Sequence, residues 1–296
     1  MPKGVMLSHN NITTVMKASG KFVSGDDKFF GLMPFHHAFG LILMLYGLCE
    51  GSQVITMAKL KWEAFVNALS DYQVTVLFLV PSLLVSLGKH EGVTAERMKS
   101  VRRIFSGASQ INPKYQEIMS NCFPHIELYH SYGMTETCFV TYCGKYRPDK
   151  PGSCGLLVDT IKCKVIDANG DEVKANEMGE FCFKGPTVMK GYLNNDEATR
   201  ESIDENGWLH SGDIGYFDED GYYFVKERIK EIIKYQGHQI SPSEIESVLM
   251  LHKGVTDAAV VGVPDPHYGE LPRAYVVKTD SNITEEELVK FINGKF

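Results

Sequence analysis

Tyr129-His130-Ser131-Tyr132-Gly133-Met134-Thr135-Glu136-Thr137 follows a short apolar run, Ile126 to Tyr129, that reads as a strand. A strand ending in a Gly-containing turn that carries Tyr, Thr and Glu is where an α/β sheet places a ligand. Tyr132 presents a flat ring that can stack on a base, and Gly133 lets a ligand approach the backbone. The Thr135 hydroxyl can meet a phosphate, and Glu136 offers a hard oxygen to Mg²⁺. An ordinary polar loop would carry the same residues, so the choice rests on the rest of the chain.

Upstream, strands alternate with helices. Phe29 to Met33, Val54 to Met57, Val74 to Val80 and Val101 to Phe105 read as strands, and Val74 to Val80 is wholly apolar. That is the texture of a parallel sheet covered on both faces. Between them, Gly40 to Leu48 reads as a buried helix, and Lys61 to Tyr72 as an amphipathic one with Trp62, Phe65, Val66 and Leu69 on one side. Pro81 suits the first turn of the next helix, and a further helix runs through Tyr115, Ile118 and Met119. Strands ending in small-residue loops such as Ser106-Gly107-Ala108-Ser109 imply an α/β fold with a mostly parallel sheet and ligands at the carboxyl ends of its strands. Adjacent His36 and His37 lie beside Phe35 and Phe39 without Cys or carboxylate at a ligand spacing, which favours a core or pocket-lining role over metal. At the start, Lys3-Gly4 before a Ser8-capped helix suits the tail of a phosphate-binding loop, whose Gly, Ser and Thr residues would lie before Met1.

After Cys143 the texture changes. Gly152, Gly155, the Asn169-Gly170 turn and the short runs Cys163 to Ile166 and Glu180 to Phe183 read as a small antiparallel sheet or barrel. Gly207-Trp208-Leu209-His210-Ser211-Gly212-Asp213 then sets a carboxylate just past Ser-Gly, suited to both hydroxyls of a ribose and equally readable as a turn aspartate. The charged stretch Lys226 to Glu231 reads as a linker to a second domain. There, Ile232 to Tyr235, a hairpin at Gln236 to Gln239, a capped helix from Ser241 to about Leu251, strands Val255 to Val263 and Arg273 to Lys278, and a Thr284-capped helix follow.

With 296 residues, 44% hydrophobic and 23% charged, the chain is long enough for two domains of a soluble globular type. A net charge of -7 without a Lys/Arg block argues against nucleic acid as the main partner. No apolar run is long and unbroken enough to span a bilayer, and Met1 runs straight into Pro2-Lys3-Gly4 rather than a signal peptide. The cysteines at 49, 122, 138, 143, 154, 163 and 182 are scattered without a C-x-x-C pair, the pattern of free thiols in a reducing compartment rather than of disulfides or a zinc site.

Taken in order, Pro-Lys-Gly-Val, His-His-Ala-Phe-Gly, Ser-Gly-Ala-Ser, Tyr-Gly-Met-Thr-Glu-Thr, Trp-Leu-His-Ser-Gly-Asp, Glu-Arg-Ile-Lys and Ile-Lys-Tyr-Gln-Gly resemble the adenylate-forming (acyl-activating) enzymes, nearest to 4-coumarate–CoA ligases, acyl-CoA synthetases and beetle luciferases. The resemblance implies activation of a carboxylic acid, fatty or aromatic, by ATP to an acyl-adenylate with Mg²⁺, then transfer to coenzyme A. Luciferase-type oxidation of the adenylate and a non-catalytic AMP- or acyl-binding remnant are the alternatives. It implies that Lys3 is the phosphate-loop lysine and that Gly107 and Ala108 line the adenine and acyl pocket, with Tyr132 on the adenine and Gly133 beside it. Thr135 would hold phosphate oxygens, Glu136 the metal, and Asp213 the ribose with Arg228 beside it. His37 and Phe39 would border the acyl site, and Leu41, Ile42 and Leu43 suggest that the pocket is apolar.

The resemblance further implies a partial AMP-binding α/β domain over 1–145, a β-subdomain over 146–227, a hinge at 228–230 that includes Lys230, and a mobile C-terminal α+β domain over 231–296. Lys234, Gly237 and Gln239 would lie on the face of that domain that turns inward for thioester formation. Glu227 stands where Asp is usual, and Gln236 where a lysine contacting coenzyme A is common. The family's long N-terminal part and its C-terminal catalytic lysine would fall outside the chain, an expectation of truncation at both ends. An intracellular setting, peroxisomal or cytoplasmic, is implied by the resemblance alone.

Overall fold

Phe78, Phe105 and Tyr129 hold matched positions on three neighbouring strands, and their rings stack in sequence, 5.1 Å and 4.6 Å between centroids. This ladder runs through the middle of the computed structural model, which describes residues 3–18, 22–107, 113–279 and 282–294. The sheet beneath it has seven strands in the order Gln53–Thr56, Lys28–Gly31, Val76–Leu79, Arg103–Gly107, Glu127–Met134, Phe139–Lys145 and Leu156–Leu157. The first five are parallel to one another, Phe139–Lys145 runs antiparallel to them, and Leu156–Leu157 pairs antiparallel with Phe139–Lys145.

Alternation along the strands sends side chains into two cores, which is why Val76–Leu79 is apolar at every position. Phe30, Leu77, Leu79, Ile104 and Leu128 pack on one face under the helices Trp62–Asp71, Pro81–Lys89 and Pro113–Cys122. Phe29, Val76, Phe78 and Phe105 pack on the other with Val15, Ile42, Leu43 and Tyr46 of the helices His9–Ala18 and Ala38–Glu50. Ile42 and Leu43, expected to make a pocket apolar, are therefore core residues. The α/β class and the mostly parallel sheet are as expected.

Two predicted loops are strand instead. Ser131 to Met134 continues the strand Glu127–Met134, because its backbone pairs antiparallel with Phe139–Lys145; the turn comes only at Thr135–Thr137. Lys226 to Arg228, read as linker, ends the strand Tyr223–Arg228, which pairs with Leu209–Phe217. These two join Gly179–Lys184 and Lys162–Ile166 in a four-stranded antiparallel layer whose core holds Phe181, Phe183 and Leu209. Val5–Met6 pairs with Gly191–Tyr192 and brings the start of the chain to this layer.

A second four-stranded sheet follows, ordered His238–Ile240, Ile233–Tyr235, Gly269–Lys278, Val255–Asp265. Its helices Pro242–Leu249 and Glu285–Asn293 are capped as expected by the hydroxyls of Ser241 and Thr284. The helix Pro242–Leu249 is gripped at both ends by residues that precede this sheet. At its N-terminus, the Glu227 carboxylate accepts from the Ser241 hydroxyl (2.6 Å), the Ser243 hydroxyl (2.9 Å) and the Ser243 amide (3.1 Å). Beyond its C-terminus, Lys89 Nζ donates to the carbonyls of Met250, His252 and Val255 at 3.1, 3.3 and 2.9 Å, and the Tyr115 hydroxyl also donates to Met250. An anion at the N-terminus and a cation at the C-terminus both complement the helix dipole.

Charge-assisted hydrogen bonds of this kind are each worth ~1.5–3 kcal/mol. Lys89→Ala should therefore raise amide hydrogen exchange over residues 242–255 while leaving the strands 76–79 and 103–107 protected. Unchanged exchange over 242–255 would show that apolar contacts alone hold the small sheet in place.

Candidate functional site

A cavity of about 340 Å³ opens where the carboxyl ends of Arg103–Gly107 and Glu127–Met134 meet the antiparallel layer. Its wall takes His37, Ala38 and Phe39 from the start of a helix, Gly107 from a strand end, and Ser131 to Glu136 from the longest strand of the large sheet and the turn after it. Phe139, Val140 and Arg228 complete it. His37 caps the helix Ala38–Glu50, its Nδ1 accepting from the Phe39 amide at 3.2 Å, so the positive end of that helix borders the cavity. Gly107 and Gly133 are required by space: a Cβ at the first would strike the Ser131 side chain and carbonyl, and at the second the Phe139 carbonyl.

The turn Thr135–Thr137 is a single 3₁₀ turn, tied by the Thr137 hydroxyl to the Met134 carbonyl (3.1 Å) and closed by Cys138 at φ 69°. Glu136 Oε1 accepts from the Tyr192 hydroxyl at 2.8 Å, and Lys3 Nζ sits 4.5 Å above the Tyr192 ring. Burial, helped by the neighbouring Glu136 carboxylate, pushes the Tyr192 phenol up to about 12, so it remains a donor at neutral pH. Lys3 thus approaches Glu136 through one intervening aromatic ring.

Asp213, buried at 3% exposure, is the electrostatic centre. Its strand neighbour Arg228 lies directly opposite in register, with Nε 3.0 Å from Oδ1. The Tyr132 hydroxyl donates to Oδ2. Proximity to Arg228 is not alignment, however, and Oδ1 has no aligned hydrogen-bond donor among the described residues. Burial pushes the Asp213 carboxyl above the usual carboxylate range, while Tyr132 and Arg228 pull it back. Tyr132 leans one face on Tyr142 at 5.4 Å and separates the main cavity from a second one of about 200 Å³, whose lining reaches Glu227, Glu231 and Ser243.

Among the residues singled out from sequence, His37, Gly107, Tyr132, Gly133, Thr135, Glu136 and Arg228 share the main cavity, Asp213 faces the second, and Lys3 stands beside them across Tyr192. Ala108 lies outside the described residues. Lys230, Lys234, Gly237 and Gln239 line neither cavity and are exposed. Lys234 and Gln239 face each other across a hairpin whose turn, Gln236 at φ 50° and Gly237 at φ 80°, has the left-handed pair of a type I′ turn. Tyr192, the partner of Glu136, was not singled out. Its signal lies only in the pairing of Gly191–Tyr192 with Val5–Met6, far apart in the chain.

Known proteins share both the sequence and the fold of this chain. Residues 1–193 match the family model "AMP-binding enzyme", and residues 244–296 match "AMP-binding enzyme C-terminal domain". A luciferin 4-monooxygenase of Nipponoluciola cruciata is 40% identical over 299 residues, and 4-coumarate–CoA ligase 3 of Oryza sativa subsp. japonica is 39% identical over 306; each alignment takes in 99% of this chain and 55% of the relative. The chain spans about half the length of the curated relatives it matches. Among solved structures, o-succinylbenzoate CoA synthetase of Bacillus subtilis in complex with its acyl-adenylate intermediate superposes at TM-score 0.83 with 29% identity, over 100% of this chain and 60% of that one. ATP-bound MatB of Rhodopseudomonas palustris gives 0.86 at 28%, over 99% and 59%.

Tyr132→Phe strips the donor from Asp213 Oδ2 and should lower stability by ~1–3 kcal/mol in chemical denaturation. The Asp213 carboxyl, with its folded value raised above 3.8, opposes folding increasingly as pH climbs through the interval between those two values. Asp213→Asn removes that dependence. The stability difference between this variant and the wild type should shift in favour of Asn as pH rises through the interval and then level off; a pH-independent difference would contradict the raised value.

Proposed function

Since the chain belongs to the AMP-binding enzyme family, we propose that it binds ATP and AMP at the paired cavities around Tyr132 and activates a carboxylic acid as its acyl-adenylate, which is then passed to the thiol of coenzyme A. The observation that carries this reading is the buried Asp213 carboxylate at the cavities, whose Oδ1 has Arg228 Nε at 3.0 Å but no aligned hydrogen-bond donor among the described residues. A ribose hydroxyl would supply that oxygen with a donor, and Arg228 adds a cation for the nucleotide. Gly107 and Gly133 contribute backbone to the wall of the main cavity, and the Tyr132 ring between the two cavities offers a flat face to a base. Thr135 supplies a hydroxyl to phosphate oxygens, and the Lys3 ammonium adds charge from beyond Tyr192.

Glu136 suits Mg²⁺, which takes one or two carboxylates and completes its shell with phosphate and water. Bound there, Mg²⁺ would neutralise phosphate charge. The protein's own part is positioning. In the first half-reaction, an oxygen of the acid's carboxylate bonds to the α-phosphorus of ATP as the bond to pyrophosphate breaks. In the second, the thiol sulfur bonds to the acyl carbon, AMP leaves with the electron pair, and the thiol proton goes to solvent. Neither needs a side-chain nucleophile; charge and alignment lower the barrier. His37 and Phe39 border the end of the cavity nearest the acid, with Phe139 and Val140 supplying apolar wall for a fatty or aromatic group. The exposed hairpin of Lys234, Gly237 and Gln239 would meet coenzyme A after the small sheet, with its hinge at 228–230 and Lys230, turns inward. The domain limits at 145, 227 and 230 belong to the same reading, as does a peroxisomal or cytoplasmic location.

Luciferase-type oxidation of the adenylate is the second reading, favoured by the 40% identity to a luciferin 4-monooxygenase. With molecular oxygen as the oxidant, it would announce itself as light from luciferin, ATP and oxygen.

The first experiment is nucleotide binding by calorimetry, followed by acid-dependent ATP–pyrophosphate exchange with fatty and hydroxycinnamic acids. AMP should bind, and Asp213→Ala should weaken it at least ~10-fold, in keeping with a lost charge-assisted hydrogen bond. Exchange with any acid would support catalysis by this chain and identify the acid class. AMP binding without exchange would make it a nucleotide-binding remnant, and no binding at all would refute the site.

A further inference from the structure

The strands Gly179–Lys184 and Leu209–Phe217 run antiparallel with Cys182 directly opposite His210. Glu180, two residues before Cys182, lies on the same side of its strand, and a register shift between the two brings its carboxylate up to the same imidazole. His210 Nδ1 stands 3.1 Å from Glu180 Oε2 and 3.5 Å from Cys182 Sγ, and the three donor atoms all lie within 4.8 Å of one another. None of the three lines either nucleotide cavity.

We propose that Glu180, Cys182 and His210 form a binding site for a zinc-class divalent cation, separate from the nucleotide site. The donor set is one thiolate sulfur, one imidazole nitrogen and one carboxylate oxygen, which suits Zn²⁺ and disfavours the hard cations Mg²⁺ and Ca²⁺. The spacing suits it too. With Zn–S about 2.3 Å and Zn–N or Zn–O about 2.0–2.1 Å, the edges of a tetrahedron come to roughly 3.3–3.6 Å. The two separations from Nδ1 lie close to those edges, and the third, between Sγ and the Glu180 carboxylate, is within 4.8 Å.

The surroundings orient the ligands in the way metal sites require. The far nitrogen of His210, Nε2, lies 3.8 Å from Asp204 Oδ2, so a carboxylate stands ready to take the imidazole proton on that side when Nδ1 gives up its hydrogen bond to Glu180 and binds the ion. Glu180 uses its other oxygen, Oε1, to accept from the Gly212 amide at 2.8 Å, which leaves Oε2 for the ion. The side chains of His210 and Glu180 are 30% and 19% exposed, so ion and water can enter and water can fill the fourth position. Cys182 itself is fully buried. Without the ion, Glu180 and His210 are hydrogen-bonded to each other. With it, the sulfur binds as thiolate and the thiol proton leaves to solvent.

Titration of the 296-residue chain with Co²⁺, followed by displacement with Zn²⁺, tests this site. The expected result is a near-ultraviolet thiolate-to-cobalt charge-transfer band that saturates at one equivalent, disappears on adding Zn²⁺, and is lost in Cys182→Ser. The band must survive in the Cys49→Ser/Cys122→Ser double variant, which removes the two exposed thiols. Glu180→Gln keeps an acceptor for the Gly212 amide but loses the charge, and should weaken Co²⁺ about tenfold or more. Circular dichroism establishes that each variant is folded. If Cys182→Ser does not fold, Glu180→Gln decides: unchanged Co²⁺ affinity overturns the proposal. It is equally overturned if no band forms, or if the band follows Cys49 and Cys122 rather than Cys182.

Discussion

A single buried carboxylate, Asp213, is the point at which side chains of the large sheet and of the antiparallel layer meet. Tyr132 reaches it from the large sheet and Arg228 from the neighbouring strand of the antiparallel layer, while Ser211 accepts from its amide. Removing a carboxylate from water is costly unless its lone pairs are met, and here one oxygen is met and the other only approached. Displacing the two layers would uncover that charge and break its bond to Tyr132, so Asp213 adds to the apolar contacts of Tyr142, Phe181 and Phe183 that join them. The cavities lie at this junction, on either side of Tyr132.

How much of this could be read from sequence follows from where each signal lives. Val76–Leu79 and its neighbours were legible because strands buried on both faces need uninterrupted apolar residues, whatever the rest of the chain does. The capped helices beginning at Pro242 and Glu285 were legible for a similarly local reason, in the hydroxyls of Ser241 and Thr284. Ser131 to Met134 and Lys226 to Arg228 were misread because their pairing partners, not their own residues, make them strand. Ile42 and Leu43 were misplaced because hydrophobicity cannot tell a core from a pocket wall.

The chemistry divides along the same line. Tyr132, Glu136 and Asp213 came forward because their side chains suit a nucleotide and because their motifs recur in order. Tyr192, which holds Glu136, is invisible from its own neighbourhood, since only the pairing of two distant dipeptides brings it there. The Glu180–Cys182–His210 cluster is hidden for a related reason: ligand spacing is sought along the chain, and this set is assembled across a strand pair with a register shift. Both are sheet-register effects, and register is a property of two segments at once.

Glu227 and Arg228 are adjacent in one strand, and their charges face opposite ways. Arg228 turns to Asp213 and the cavity, whereas Glu227 turns to the helix Pro242–Leu249, with the Arg228 amide donating to its Oε1 at 3.0 Å. The cation on the cavity wall and the carboxylate that caps the helix therefore hang on one peptide unit. Lys89 holds the far end of the same helix from another element. The small sheet is thus fastened to the antiparallel layer at the rim of the cavity itself, so its anchorage and the wall of the candidate site are built from one strand end.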